Sequence, residues 1–245
     1  MALHFVADEA TDARGGDILS LTGAEAHHAA VVRRVRSGEV VTVGDGRGVW
    51  LDGVCEDVGQ KELRIRVTSR RDVAPATLRL VLVQALAKGG RDELAVQAAT
   101  ELGADEIVPW QASRSVPRWE GPKLLKGVAR WEAITREAAK QAHRAWIPDV
   151  SPPVTMKQLA ARAAEASVLV LEPTADIALT AHLAAPLGER DIVLVVGPEG
   201  GIAPDELDAL IAAGGVPARL GDTVLRASTA GPAALAVASA ALGRW

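Results

Sequence analysis

The chain has 245 residues, 49% of them hydrophobic and 24% charged, with a formal net charge of −4. That length buries a sizeable core in one large or two modest domains, and the composition is that of an ordinary globular protein. Net acidity argues against a generic nucleic-acid binder. No apolar run approaches the roughly 20 residues that span a bilayer, and the single cysteine, Cys55, excludes an internal disulfide and offers no metal-ligand cluster.

The opening stretch, "MALHFVADEATDARGG", lacks a basic segment followed by an apolar one. No signal peptide and no membrane association are therefore expected, and a reducing, cytoplasmic location fits. "TGAEAHHAAVVRRVRSGE" reads as a short helix, capped by Thr22 or Gly23 and ended by Gly38. "EVVTVGDGRGVWLDGVCEDV" alternates around a hairpin-like turn at Gly44-Asp45-Gly46, and "ELRIRVTSRR" sets Leu63, Ile65 and Val67 on one face. Residues 1–74 thus read as a β-rich module, with Cys55 a small buried hydrophobe in a strand. "VAPAT" (Val73 to Thr77) is a plausible linker.

From residue 75 to 245 the pattern alternates between strand and helix. Strands are expected at "LRLVLVQAL" (78–86), "EIVPW" (106–110), "SVLVLEP", "DIVLVVGP" and "ARLG". Helices are expected at 91–103, at about 121–145, at "TMKQLAARAAEA", at "PDELDALIAAG" and at "GPAALAVASAALGRW". Continuous apolar strands between helices predict an α/β fold: a mostly parallel sheet covered on both faces. The charge is uneven. Gln111 to Arg144 carries 8 basic and 3 acidic residues, which fits either a targeted surface or a solvated face.

Ligands of open α/β sheets gather beyond the carboxyl ends of the strands, and three such ends carry unusual residues. They are "LVLEPTAD" (with Leu171, Glu172 and Pro173), "VGPEGGIAPDEL" (with Gly197, Glu199, Gly200 and Gly201) and "LGDTVLRASTA" (with Leu220, Gly221, Val224, Leu225, Arg226 and Thr229). Glycines let main-chain atoms approach a ligand with no Cβ in the way. Neither "GxxxxGK[ST]" nor "GxGxxG" is present, and Asp205 and Glu206 at the start of the following helix would repel a phosphate. A ligand neutral or cationic near this loop fits better, against the plainer reading of a Gly-rich turn.

"LVVGPEGGIAPDEL" followed by "LGDTVLRASTA" resembles the signature of the SPOUT-class RNA methyltransferases. The likeness is closest to the bacterial family that methylates N3 of one uridine in 16S ribosomal RNA. "ELAVQAATELGADEIVPWQASRSV" and "RWEAITREAAKQAHRAWIPDV" extend it, and "HHAAVVRRVRSGE" with "VGDGRG" resembles that family's PUA-like RNA-recognition module. The resemblance implies a PUA-like β-barrel over 1–74 and a parallel α/β methyltransferase domain with a C-terminal trefoil knot over 75–245. It also implies a homodimer, S-adenosylmethionine as donor held by the residues just named at the three strand ends, and 16S rRNA or the 30S subunit as substrate. No metal is implied. One departure stands out: the family's usual carboxylate after Leu-Arg-Thr is replaced by Ser228.

The catalytic candidates that follow are Arg226, stabilising negative charge on the base, and Glu199, as base or as orienter of Arg226. RNA contacts are expected from Arg33, Arg34 and Arg36, and from Arg114 and Arg118. A third group is Arg136, Lys140 and Arg144, spaced four apart on one helix face with Gln141 beside them. The rival readings are a non-catalytic RNA- or ribosome-binding protein on the same fold and a nucleotide-dependent α/β enzyme.

Overall fold

The computed structural model describes residues 2–59, 61–185 and 188–245. The chain divides into two compact units, residues 1–75 with 139–147, and residues 76–138 with 148–245.

The first unit contains β1 (Leu3–Val6), β2 (Ile18–Thr22), α1 (Gly23–His27), β3 (Val40–Gly44), β4 (Val49–Val58) and β5 (Glu62–Asp72). The strands form one sheet in the order β1-β3-β4-β5-β2, antiparallel except for the β1–β3 pair. Its core holds Phe5, Leu21, Leu51, Leu63 and Ile65. The β3–β4 turn is built by Asp45, whose Oδ1 accepts from the amides of Arg47 at 2.7 Å and Val49 at 3.0 Å. The expected helix from Thr22 to Gly38 is shorter than its sequence suggests. Thr22 is the N-cap but makes no side-chain capping bond, and after His27 the backbone widens into a π turn over His28–Val32. Arg34 then takes a left-handed φ of 53°.

Residues 139–147 belong to this unit through specific groups. Lys140 Nζ donates to Glu25 Oε1 at 2.9 Å, Trp146 Nε1 donates to the Val73 carbonyl at 2.9 Å, and Ile147 packs on Gly46. His4 stacks on Trp50 with ring centroids 4.4 Å apart, and the His143 ring lies 5.7 Å from that of His4. Burial, followed by the charges of His143 and Lys140, pushes the His4 imidazole down to about 4, so the stacked ring is neutral at physiological pH.

The second unit contains β6 (Leu80–Ala85), α2 (Arg91–Glu101), β7 (Glu106–Trp110), α3 (Pro122–Gln141, whose last turn enters the first unit), β8 (Asp149–Val150), α4 (Met156–Ala161), β9 (Ser167–Leu171), α5 (Leu179–Leu183), β10 (Ile192–Val196), α6 (Pro204–Ala212), β11 (Val216–Ala218) and α7 (Ala227–Ala241). Its six strands run in the order β11-β9-β10-β6-β7-β8, and every pair is parallel. Both faces are apolar, as the continuous hydrophobic runs require. Leu80, Leu82, Ile107 and Leu194 pack with Val96, Trp131 and Leu235 on one side, whereas Val81, Val83, Val108 and Val195 pack with Leu159 and Leu210 on the other.

The last helix begins four residues before the Gly231 start that its apolar composition suggests. Arg226 is its N-cap, and Gly231 lies inside it because a Cβ there would sit 2.9 Å from Leu82 Cδ1. The glycine therefore serves close packing of helix on sheet rather than a boundary. The last strand is Val216–Ala218 rather than "ARLG". Among the described residues no helix is long and apolar enough to cross a membrane.

The amino ends of the strands are fastened by charge. The Glu106 carboxylate is buried, and Oε2 accepts from Arg79 at 2.6 Å while Oε1 accepts from Arg162 at 2.7 Å and Ser151 at 2.6 Å. Burial pushes this carboxyl up, but the hydrogen bonds of Arg162 and Ser151 and the charges of Arg162 and Arg79 outweigh it and hold the group below the usual glutamate range. A depressed native value stabilises the fold above the ordinary carboxylate range, and that contribution fades as pH falls through the native value. Glu106→Gln is expected to lower unfolding stability at pH 7 by roughly 3 kcal/mol. In urea titrations the difference from wild type should shrink as pH is taken below 4 to 5, roughly the range where free glutamates protonate.

Candidate functional site

A cavity of about 370 Å³ opens at the carboxyl end of the parallel sheet, within the size range of small-ligand sites. Leu171 at the end of β9 with Glu172 and Pro173 after it, Gly197, Glu199 and Gly201 after β10, and Leu220, Gly221, Val224, Leu225 and Arg226 between β11 and α7 all line it. The three strand ends singled out in the sequence thus face one space. Gly200 and Thr229 are not among its lining residues.

Backbone geometry explains the small residues. A Cβ on Gly197 would lie 2.7 Å from Ile202 Cγ1 and 3.1 Å from the Ile202 amide nitrogen. Gly201 has φ of +72°, a conformation that side-chain-bearing residues seldom adopt. The neighbouring turn is tied from outside: Arg114 Nη1 donates to the carbonyls of Gly200 at 2.9 Å and Ile202 at 3.4 Å. Glu206, in the first turn of α6, accepts from the Ser113 amide at 2.8 Å, the Ser113 hydroxyl at 3.0 Å and the Ala203 amide at 3.2 Å. The segment after β7 is thereby fastened to the segment after β10.

Several expected roles change with this geometry. Glu199 is not the partner of Arg226. Its Oε1 accepts from the Lys88 amide at 3.1 Å and from Arg91 Nη1 at 3.0 Å, so the carboxylate is drawn to the start of α2. Arg226 lines the cavity, and its guanidinium has no hydrogen bond or ion pair with any described residue. Arg114 and Arg118, candidate RNA contacts in the sequence, are exposed and also tie the backbone. Arg114 holds the Gly-rich turn, while Arg118 donates to the carbonyls of Ala112 at 3.0 Å and Ser113 at 2.9 Å.

The expected stripe on one helix face also breaks. Lys140 points inward to Glu25, with only 9% of its side chain exposed. Arg144 lies beyond the helix, because His143 takes a left-handed φ of 53° and the Arg144 amide returns to the Ala139 carbonyl at 2.9 Å. That is a helix-ending motif with histidine where glycine is usual. Gln141 is the exposed last residue of α3, and Arg136 is half-buried. Arg33, Arg34 and Arg36 are exposed, beside the exposed apolar Val31 and Val32.

Arg91, Val196 and Ile202 also line the cavity and were not singled out in the sequence. For Arg91 a signal existed in "KGGRDEL": two glycines between a strand and a helix start, at the same sheet end as the other three loops. Trp119 and Trp131 are packing residues. Trp119 meets Trp131 edge-on at 5.2 Å and fits over Gly127, where a Cβ would come within 2.4 Å of its ring.

An all-parallel sheet with a Gly-rich cavity at its carboxyl end, free of a phosphate-binding motif, defines an α/β protein built to hold a nucleoside-like or cationic ligand. The family described as RNA methyltransferase domain matches residues 74–239, and that described as RNA methyltransferase PUA domain matches residues 21–68. The ribosomal RNA small subunit methyltransferase E of Mycobacterium bovis is 45% identical over 250 residues, covering 100% of this chain and 94% of the relative. The protein of the same name from Bacillus subtilis is 30% identical over 86% of this chain and 85% of its own. Among solved structures, a putative methyltransferase from Legionella pneumophila, in complex with S-adenosylmethionine, superposes with a TM-score of 0.85 at 28% identity, covering 98% of each chain. The chain belongs to this RNA methyltransferase family.

Arg114→Ala should leave global unfolding within about 1 kcal/mol of wild type, as for other exposed side chains. It should speed amide exchange across Gly200–Ile202 by about fivefold or more, read by hydrogen–deuterium exchange.

Proposed function

We propose that this protein transfers a methyl group from S-adenosylmethionine to N3 of one uridine in 16S ribosomal RNA. The observation that carries this reading is the cavity itself, formed by glycine-rich backbone at three adjacent strand ends and bordered by a guanidinium with unused donors. The name of the relatives agrees with it, as does the donor bound in the Legionella structure. The donor fits the cavity chemically. Exposed main-chain groups and the apolar Leu171, Val196 and Leu225 suit a nucleoside, and of the two arginines lining the cavity Arg91 is paired with Glu199.

When bound, S-adenosylmethionine supplies an activated methyl group. The chain's own residues have two tasks: to align the acceptor, and to lower the cost of removing the N3 proton. Arg226 caps α7 at the cavity edge, and its guanidinium places positive charge where the base carbonyls gain negative charge as that proton leaves. Glu199 serves as an anchor between loops rather than as the base, because Arg91 and the Lys88 amide already occupy it. Ser228, half-buried in the first turn of α7, offers a hydroxyl and no carboxylate. The N3 proton accordingly departs to water, with Arg226 supplying the electrostatic assistance.

The same proposal divides the chain into an RNA-recognition module over 1–74 and a catalytic domain over 75–245. It assigns Arg33, Arg34 and Arg36 to phosphate contacts on the first. It includes a C-terminal knot, supported by a connection that leaves edge strand β11 and returns as α7 over β10 and β6. A homodimer and a cytoplasmic location, where unmodified 30S particles are made, complete it.

Arg226→Ala should lower methylation of unmodified 30S particles about 100-fold or more, while donor affinity by isothermal titration changes less than about threefold. Equal losses in both would remove Arg226 from the chemistry, and absence of methyl at uridine N3 by mass-spectrometric mapping would overturn the reading. Reversing Arg33, Arg34 and Arg36 to glutamate should weaken RNA binding and flatten the slope of log affinity against log salt by about 2.

A further inference from the structure

Arg91 is the first residue of α2, reached through Gly89 and Gly90, whose φ values are +66° and +71°. Its guanidinium lines the cavity, and Nη1 donates to Glu199 Oε1 at 3.0 Å. The same oxygen accepts from the Lys88 amide at 3.1 Å. Next along the chain, the buried carboxylate of Asp92 accepts from the Ala87 amide at 3.1 Å. Two consecutive amides after β6 are therefore held by two carboxylates, one from the same segment and one from across the sheet end. β6 and β10 are paired neighbours, so this contact joins the segments that leave two adjacent strands.

We infer that Arg91 is a positioning residue of the cavity: its ion pair with Glu199 fixes where the Gly197–Gly201 segment sits, and through that segment it sets affinity for the donor. The inference rests on the reading that S-adenosylmethionine occupies this cavity. The chemistry behind it is direct. The Arg91 and Glu199 side chains are 38% and 21% exposed, so the pair is partly screened and its effect is severalfold rather than absolute. Without the guanidinium, Glu199 keeps one neutral amide donor and loses its counter-charge, so the turn it carries is held less firmly. Arg114 still grips the carbonyls of Gly200 and Ile202. Arg91 performs no proton or methyl transfer here; it acts through Glu199.

The test combines two measurements on the full chain. In hydrogen–deuterium exchange of the ligand-free protein, Arg91→Ala should speed exchange at Lys88 and across Gly200–Ile202 about three- to tenfold, and Arg91→Lys should restore most of the protection. In donor titrations, Arg91→Ala should weaken S-adenosylmethionine by a similar factor, with the loss in the donor KM rather than in kcat. In the Glu199→Gln background the same substitution should cost almost nothing further. Unchanged exchange in Arg91→Ala would overturn the inference. So would an undiminished loss in the Glu199→Gln background, which would mark Arg91 as a direct ligand contact. If the wild-type protein fails to bind S-adenosylmethionine at all, the reading of the cavity falls, and the exchange data still decide whether Arg91 positions the turn.

Discussion

Level strand endings underlie the site. In the register of the parallel sheet, Leu171 is the Cα partner of both Val196 and Ala218, so β9, β10 and β11 finish in one row. All three residues line the cavity. A parallel sheet points every carboxyl end the same way, and the segments that follow must diverge from a common floor. A one-residue slip in any of these pairings would turn alternate side chains to the opposite face of the sheet. It would also move one wall of the cavity by about 3 Å, the rise per residue of a strand. The apolar packing on both faces, from Leu80 and Leu194 on one side to Val83 and Val195 on the other, is what holds the row level.

Above that floor the charged residues act mainly as fasteners. Glu206 holds Ser113, Arg114 holds Gly200, Arg118 holds Ala112, and Glu199 holds Lys88. Each of these contacts crosses between two segments or closes one upon itself, and together they fix backbone that glycine would otherwise leave free. Arg226 differs. It sits at a helix start and lines the cavity, and its guanidinium makes no hydrogen bond or ion pair with the described residues. The fastening charged groups are committed to backbone or ion-pair contacts, which leaves the Arg226 guanidinium with unused donors at the cavity.

The strands of the second unit were legible because burial on both faces writes long apolar runs into β6, β7, β9 and β10. The Gly-Pro-Glu-Gly-Gly loop was legible because no ordinary turn needs that many special residues. What the sequence hid depends on contacts between distant segments. The basic spacing of Arg136, Lys140 and Arg144 looks like a solvated stripe, and only the fold shows that Lys140 meets Glu25 while His143 ends the helix before Arg144. The start of α7 was misplaced because Gly231 reads as a boundary, whereas its role is set by Leu82 on another strand. Strand β8, two residues long, carries too little periodicity to be seen. Glu199 lines the cavity, and its pairing with Arg91 spans 108 positions, which no local pattern could reveal.

The membership of residues 139–147 in the first unit bears on how the protein is made. A chain emerging in order from its amino end presents all five strands of that sheet by Asp72, yet His4 and Trp50 still lack His143 as a ring neighbour and Glu25 still lacks its lysine. Gly46 and Gly48 leave room for Ile147 and Trp146, which pack there only once those residues have been synthesised. The amino-terminal sheet therefore matures only after more than half of the polypeptide has left the ribosome, and its completion waits on the helix that precedes the rest of the larger unit.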